Sequence, residues 1–296
     1  MRDLRAALLS ERIAKPNCDI VAVQEITAKR LDHARNICRT LTDKLREVTF
    51  QGWECILGDT EEGPHRLAFI WKSRNIDLID SYSYKNVEVP RLSKIDKVTT
   101  FQRVPLEATF RLKFKNGNRT ISLINIHLKS KAGGQNDPTG FKWEIMRMEQ
   151  AEAIRRLAVE RLLNKPTKHP VLILGDRNSD FDSPTAKILE GSLILKDFAD
   201  KAPCRIAKHL VPVCIKDVPR PPVFVSVVTK DPALKAVGGT FKYRKKLQFL
   251  DDILIDTNHL ALAQKRRFST REFNSGILFE PKEASDHALV WTRLEF

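Results

Sequence analysis

The chain has 296 residues, 42% of them hydrophobic and 30% charged, a balance that supports a buried core and reads as a soluble globular protein. No apolar stretch approaches the roughly 20 residues needed to cross a bilayer, so no membrane insertion is expected. Lys and Arg outnumber Asp and Glu by 51 to 37, a formal charge of +14 that draws polyanions and makes nucleic acid the leading candidate partner. In chain order, residues 2–14 predict a helix, Asp19 to Glu25 (DIVAVQE) a buried strand and residues 28–48 a second helix. Strands follow at 66–72, 76–82, 104–114 and 119–127, the last two joined by Asn116-Gly117, a good hairpin turn. Residues 141–164 predict the clearest helix, with Ile145, Met148, Ala151, Ile154, Ala158 and Leu162 on one apolar stripe that belongs to the core. A strand at 170–176 leads to Ser183-Pro184, an N-cap with proline at the first helical position, and a short helix to about Leu189. Residues 199–239, rich in proline, read as an irregular insertion or long loop, and strands return at 248–256 (QFLDDILID) and 288–295 (ALVWTRLE).

The opening MRDLRAALLSERIAK mixes charge into every turn and shows no export address, which points to the cytoplasm; an amino-terminal truncation would leave secretion open. The five cysteines form no CxxC pair, which argues against a disulfide framework or a zinc knuckle, although Cys204 and Cys214 are near enough in sequence to pair in a loop. The runs Lys242-Tyr243-Arg244-Lys245-Lys246 and Lys265-Arg266-Arg267 add local positive charge, the first with an aromatic ring that can touch a base or sugar.

Chemistry collects where polar residues interrupt apolar strands. Glu25 ends VAVQE, Asn125 and His127 sit in ISLINIHLKS, Asp176 and Asn178 follow VLIL, Asp251 and Asp252 break FLDDILI, and Asp286-His287 precede ALVW. A strand-end carboxylate is ordinarily a cap and a single histidine ordinarily structural; five such ends in one chain suggest a shared site. Side chains alternate along a strand, so Asn125 and His127 share a face, as do Asp176 and Asn178 if the strand runs past Gly175. The set offers the hard oxygens Mg²⁺ takes and an imidazole that titrates near neutrality, while the lack of HExxH or clustered Cys and His speaks against a closed zinc site.

DIVAVQE, HRLAFIW, FQRVP around Arg103, INIHLKS, ILGDRN, FLDDILI and SDHALV, in this order, resemble the endonuclease/exonuclease/phosphatase superfamily of deoxyribonuclease I-like proteins. HLKSKAGG, the helix with Arg147 and Gln150, and GTFKYRKKLQFLDD look most like bacterial members, many of them nucleases. The resemblance implies an α+β fold, a four-layered α/β/β/α sandwich of two packed mixed sheets flanked by helices, built as one domain over residues 1–296. It implies Glu25 as the principal Mg²⁺ ligand with Asp286 supporting the metal region, Mn²⁺ or Ca²⁺ being possible substitutes. Asp176 would orient the attacking water or assist the leaving oxygen, and Asn178 would bond a phosphate oxygen. His287, oriented by Asp251, would be the general base or a positioned imidazole. His127 would donate to the phosphate or leaving group, and Arg103 and Asn125 would contact substrate.

The implied activity is divalent-metal-dependent phosphodiester hydrolysis, as a nuclease on DNA or RNA, in a monomer with no protein partner inferred. The same scaffold also serves phosphatases and phospholipases acting on inositol phosphate or sphingomyelin, and an impaired member could bind nucleic acid without cutting it. Three departures stand out. The family's first strand, with its Asn near the metal, is missing ahead of Asp19, so either a strand lies upstream or the first helix packs over the gap. Arg177 occupies a position that is usually aromatic or aliphatic, and its guanidinium must find solvent, an acid or a phosphate. Pro64 to Lys72 contains no acid to pair with His127.

Overall fold

The computed structural model describes residues 2–59, 64–92, 100–131, 141, 143–164, 169–198, 203–208, 211–218, 220–243, 246–264 and 273–296. In chain order the first half runs α1 (Arg2–Ala14), β1 (Ile20–Thr27), α2 (Leu31–Thr49), β2 (Trp53–Leu57), β3 (His65–Lys72), β4 (Ile76–Ser83), β5 (Leu106–Phe114) and β6 (Gly117–His127). The second half runs α3 (Glu144–Asn164), β7 (Val171–Asp176), α4 (Pro184–Glu190), β8 (Cys204–Ile206), β9 (Pro212–Cys214), β10 (Phe224–Ser226) and α5 (Pro232–Lys235). It ends with β11 (Phe241–Tyr243), β12 (Lys246–Gln248), β13 (Asp251–Asp256), β14 (Ser275–Leu278) and β15 (Leu289–Thr292).

Two sheets stack. One is antiparallel in the order β1-β3-β2; the other has six strands in the order β10-β13-β7-β6-β5-β4, with β6 and β7 parallel and joined through α3. β3 reads LAFIW through its centre and is buried there without interruption, as a central strand covered on both faces must be. Between the sheets lie Phe69, Trp71, Phe110, Leu106, Leu123, Leu172 and Ile253, with Phe69 and Trp71 both packed on the ring of Phe110. The outer face of the six-stranded sheet contributes Ile124, Ile126, Val171 and Ile173, which meet Met148, Ala151, Ile154 and Ala158 of α3 and Ile188 and Leu189 of α4. On the other side Ile13 of α1 and Leu41 and Leu45 of α2 cover Val21, Trp53 and Ile70. The result is the expected α/β/β/α sandwich, and the stripe on α3 is core.

Arg12 joins the helical layer to the carboxyl-terminal segment. Its buried guanidinium donates to the carbonyls of His287 at 2.6 Å, Phe279 and Pro281, so α1 braces the stretch that carries Asp286 and His287. Among the described residues no strand pairs with the second edge of β1 or of β15. A cavity of about 720 Å³ lies there, lined by Ile20, Ala22, Leu123, Leu172, Leu174 and Val290 among others, and no residue of α1 lines it. The helix covers the outer face of the three-stranded sheet instead of filling that space.

Several sequence expectations change. β2 and β14 were not expected: WECIL and SGIL are short, and each is a strand because a partner strand, β3 or β15, supplies its hydrogen bonds. The hairpin turn is Lys115-Asn116, since Phe114 pairs with Gly117, which begins β6 at φ 107°. Residues 248–256 divide between β12, paired with β11, and β13 in the large sheet. The segment 199–239 contains β8, β9, β10 and α5 in its described parts. The pairing left open for Cys204 and Cys214 is made, as a disulfide across the β8–β9 hairpin whose register sets them opposite one another, and Cys38 of α2 lies against Cys55 of β2. Only the fold brings the second pair together, so spacing alone could not signal it.

Candidate active site

Three neighbouring strands deliver three functional groups to one edge of the large sheet. β7 ends at Asp176; the antiparallel register of β13 sets Asp251 opposite it, and the parallel register of β6 sets His127 beside it. This close approach needs Gly175 (φ 131°), where a Cβ would collide with the carbonyl of Ile126. Glu25 arrives from the other sheet. A bulge between Val23 and Ile26 shifts the β1 register, and Glu25 takes φ 59°, a left-handed conformation costing a non-glycine residue about 1–3 kcal/mol. The bulge turns its half-exposed carboxylate to 3.8 Å from His127 Nε2.

Asp176 is buried and held from two directions by one residue: the Asn178 backbone N–H donates to Oδ1 at 2.7 Å and its side-chain amide to Oδ2 at 2.9 Å. Asn178 sits at φ 53°, a region asparagine tolerates better than most, and its amide also donates to the carbonyl of Leu128 at 3.1 Å. Burial, and then the facing charge of Asp251, push the Asp176 carboxyl up to about 7. His287 Nδ1 lies 2.9 Å from Asp251 Oδ2, which leaves Nε2 as its free nitrogen. Burial alone would lower its pKa, but the hydrogen bond and charge of Asp251, followed by Asp176 and Asp286, raise it to about 9. His127 goes the other way. Burial, then the charge of Arg103 and the neighbouring imidazoles of His65 and His287, hold it well below the usual imidazole value, so it is neutral. Its Nε2 is 3.4 Å from Asp176 Oδ2, while the buried Nδ1 has no hydrogen-bond partner; the nearest ring is His65, edge-on at 6.5 Å. Among the described residues no carboxylate bonds that Nδ1 in place of the acid missing from residues 64–72.

One ligand atom each from Asp176, Asp251 and His287 lie within 4.8 Å of one another. Two carboxylates buried side by side, one pushed up towards neutrality, form the arrangement that a hard divalent cation relieves; Glu25 stands outside that close group, its exposed carboxylate beside His127 at the rim. The donor set therefore fits a divalent metal.

The other candidates fall in different places. Arg103 lies beside the site, donating from Nη1 to the Leu128 carbonyl at 2.6 Å with Asp176 and Glu25 in its field. Asp286 is an exposed carboxylate next to His287 and outside the close group. Asn125, expected to touch substrate, is fully buried. Its amide donates to the carbonyls of Val23 (3.1 Å) and Ala68 (2.9 Å) and its oxygen accepts from Gln24 Nε2 (2.7 Å), so it ties the two sheets together behind the site. Facing the same way as His127, as the alternation predicts, it points into the inter-sheet layer because it stands two residues deeper in the strand.

Supporting contacts emerge whose partners the sequence did not locate. Glu144, buried at the start of α3, accepts from Arg147, from Ser179 Oγ and from the hydroxyl and backbone N–H of Thr185, while Arg147 Nη1 and Gln150 Oε1 bind the carbonyl and N–H of Lys129. The first two turns of α3 thus fix both loops that leave the β6 and β7 ends. Thr240 Oγ1 accepts from the N–H groups of Leu250 and Asp251, fixing the start of β13. Arg177 finds an acid: its buried guanidinium pairs with Asp252 and donates to the carbonyls of Ser179 at 2.7 Å and Phe249 at 3.2 Å. A buried charge in a run as apolar as FLDDILI signals such a partner, but the sequence does not say which.

No family model and no curated protein matches the sequence. Solved structures do. The human Nocturnin catalytic domain with bound sulfate is 16% identical at a TM-score of 0.55, over 99% of this chain and 86% of that one. A mannosyl-6-phosphatase from Bacteroides thetaiotaomicron is 15% identical at a TM-score of 0.57, over 100% and 92%. An endonuclease/exonuclease/phosphatase family protein from Leptotrichia buccalis is 13% identical at a TM-score of 0.56, over 100% and 94%. Layers, sheet order and these similarities agree: the chain has the fold of the endonuclease/exonuclease/phosphatase proteins.

Proposed function

We propose that this chain is a divalent-metal-dependent phosphodiesterase that hydrolyses nucleic acid. The observation that carries the reading is the meeting of Asp176, Asp251 and His287 at one sheet edge, with neutral His127 and the rim carboxylate of Glu25 adjoining. The +14 charge and the exposed Lys242 and Lys246 favour a polyanionic substrate; Arg244, Lys245 and the run 265–267 lie outside the described residues. Glu25, Asp176 and Asp251 would hold the metal, which when bound neutralises charge on the phosphate and polarises its P–O bonds. Asp251 orients His287 through Nδ1, so Nε2 takes a proton from the attacking water. The water oxygen bonds to phosphorus as the bond to the leaving sugar oxygen breaks, and that oxygen takes up the proton His287 has gained. Neutral His127, with Nε2–H towards the site, and Arg103 supply donors for the phosphate oxygens, while Asn178, whose amide protons go to Asp176 and the Leu128 carbonyl, holds Asp176 in place.

Plasmid and oligonucleotide hydrolysis in Mg²⁺, with and without chelator, tests this reading. Glu25→Ala should lose on the order of 100-fold or more in rate while keeping its thermal midpoint, because it removes a rim ligand and no core contact. A parental rate for that variant, or full activity in chelator, would refute the assignment. The similarity to a sugar phosphatase supports a second reading, a phosphomonoester substrate; phosphate release from a sugar phosphate with intact plasmid would favour it.

A titration locates the metal independently of turnover. In the metal-free chain the surrounding carboxylates hold the His287 proton up to about 9. A cation among those carboxylates weakens their hold, so Mg²⁺ should move the His287 midpoint, followed by NMR of the ring, to lower pH. An unmoved midpoint would place the metal elsewhere.

A further inference from the structure

Beside His287 the chain builds a feature that the hydrolysis above does not use. The β11–β12 hairpin is bound to the catalytic segment by its backbone: Lys242 N–H donates to the Asp286 carbonyl at 3.1 Å, Ala288 N–H to the Thr240 carbonyl at 2.6 Å, and Phe241 bridges His287. Strand alternation then puts Phe241 and Tyr243 on one face. The Phe241 ring lies 4.6 Å from the His287 ring, and the Tyr243 ring continues the row at 6.4 Å from Phe241 with the two planes 7° from parallel. Tyr243 is 57% exposed. Its cross-strand partner is Lys246, also exposed, so an aromatic face and a cation stand together one step outward from the reacting centre.

We infer that this row is a stacking subsite for the nucleobase of the nucleotide next to the scissile phosphate, with Lys246 serving the following phosphate. The inference rests on the nuclease reading and adds to it which part of the substrate is held. Three properties favour a base: the ring row is continuous with the imidazole of His287, its outer ring is more than half exposed, and a cation shares its face. Aromatic stacking of this kind tolerates any base, since each has a π-face. The subsite would give affinity without sequence preference.

The test compares the parent, Tyr243→Ala and Tyr243→Phe on dinucleotides with both bases present or with one base deleted on either side of the bond, reading kcat and KM separately. For the parent, deleting the base on one side should raise KM by roughly 5- to 150-fold with kcat little changed, the range expected of one base–aromatic stack. Tyr243→Ala should show that rise with both bases present and no further rise on deletion, and Tyr243→Phe should behave as the parent. Equal sensitivity to base deletion in the parent and Tyr243→Ala would overturn the subsite while leaving the nuclease reading intact. A second arm does not depend on cleavage: an oligonucleotide carrying 2-aminopurine, bound in chelator, should be quenched by the parent and by Tyr243→Phe and not by Tyr243→Ala. Quenching without cleavage by any protein would keep the subsite and refute the nuclease. Absence of quenching in the parent would overturn the subsite.

Discussion

Asp251→Asn is expected to lower kcat for oligonucleotide hydrolysis by on the order of 10²- to 10⁴-fold, with little change in KM. The reason lies in the pair at 2.9 Å between Asp251 Oδ2 and His287 Nδ1. The carboxylate accepts the Nδ1 proton and so leaves Nε2 with the lone pair that faces the attacking water. An asparagine of the same shape can turn its NH₂ towards Nδ1, which fixes the opposite tautomer and puts the proton on Nε2, where a base is needed. It also removes the charge that, with Asp176 and Asp286, raises the ring to about 9, so the His287 midpoint should fall in the metal-free variant. Volume and the β13 backbone pairing to β7 are retained, and the thermal midpoint should move little. A parental kcat would remove His287 from the chemistry. A lost kcat with an unmoved His287 midpoint would mean that Asp251 acts through the metal instead.

The layers were legible because their signal is apolar period and turn chemistry, both local. DIVAVQE, the α3 stripe, VLIL and the Ser183 cap each became the element expected, Ser183 Oγ accepting from Ala186 N at 3.2 Å. β2 and β14 were not legible because short strands depend on their partners. The strand-end residues were legible as a set: Glu25, His127, Asp176, Asp251 and His287 converge. Asn125 shows where that reasoning fails, since a face can be read from alternation but depth along the strand cannot. Glu25 and Asn178 needed left-handed backbone that no propensity announces in VQEIT or DRNSD. Glu144 and Arg147 look like ordinary surface charges in sequence, and Arg177 was legible as a charge in need of a partner but not as the partner of Asp252; all three are buried because the loops they hold close over them.

Arg177→Met is expected to destabilise the protein by about 3–5 kcal/mol, the cost of removing one partner of a buried ion pair. For a chain of this size that lowers the thermal midpoint by on the order of 10 °C. Methionine replaces the packing volume but leaves Asp252 buried with only Ser226 Oγ, at 2.6 Å, and its own strand for company. Glu190 is near and already pushed up to about 7 by burial and then by Asp252, so the uncompensated pocket would gather protons and its folded state would weaken further as pH rises. Adding Asp252→Leu removes the stranded charge, and the double variant should regain much of the lost stability even though it has lost both partners. Activity should not return in parallel. Arg177 also holds the Ser179 and Phe249 carbonyls, and with them the loop carrying Asn178 and the entry to Asp251, so the double variant should remain slower than the parent at temperatures where both are folded. Simple additivity of the two stability losses would show that the pair is not coupled. A parental rate in the stable double variant would show that the pair supports the fold and does not position the site.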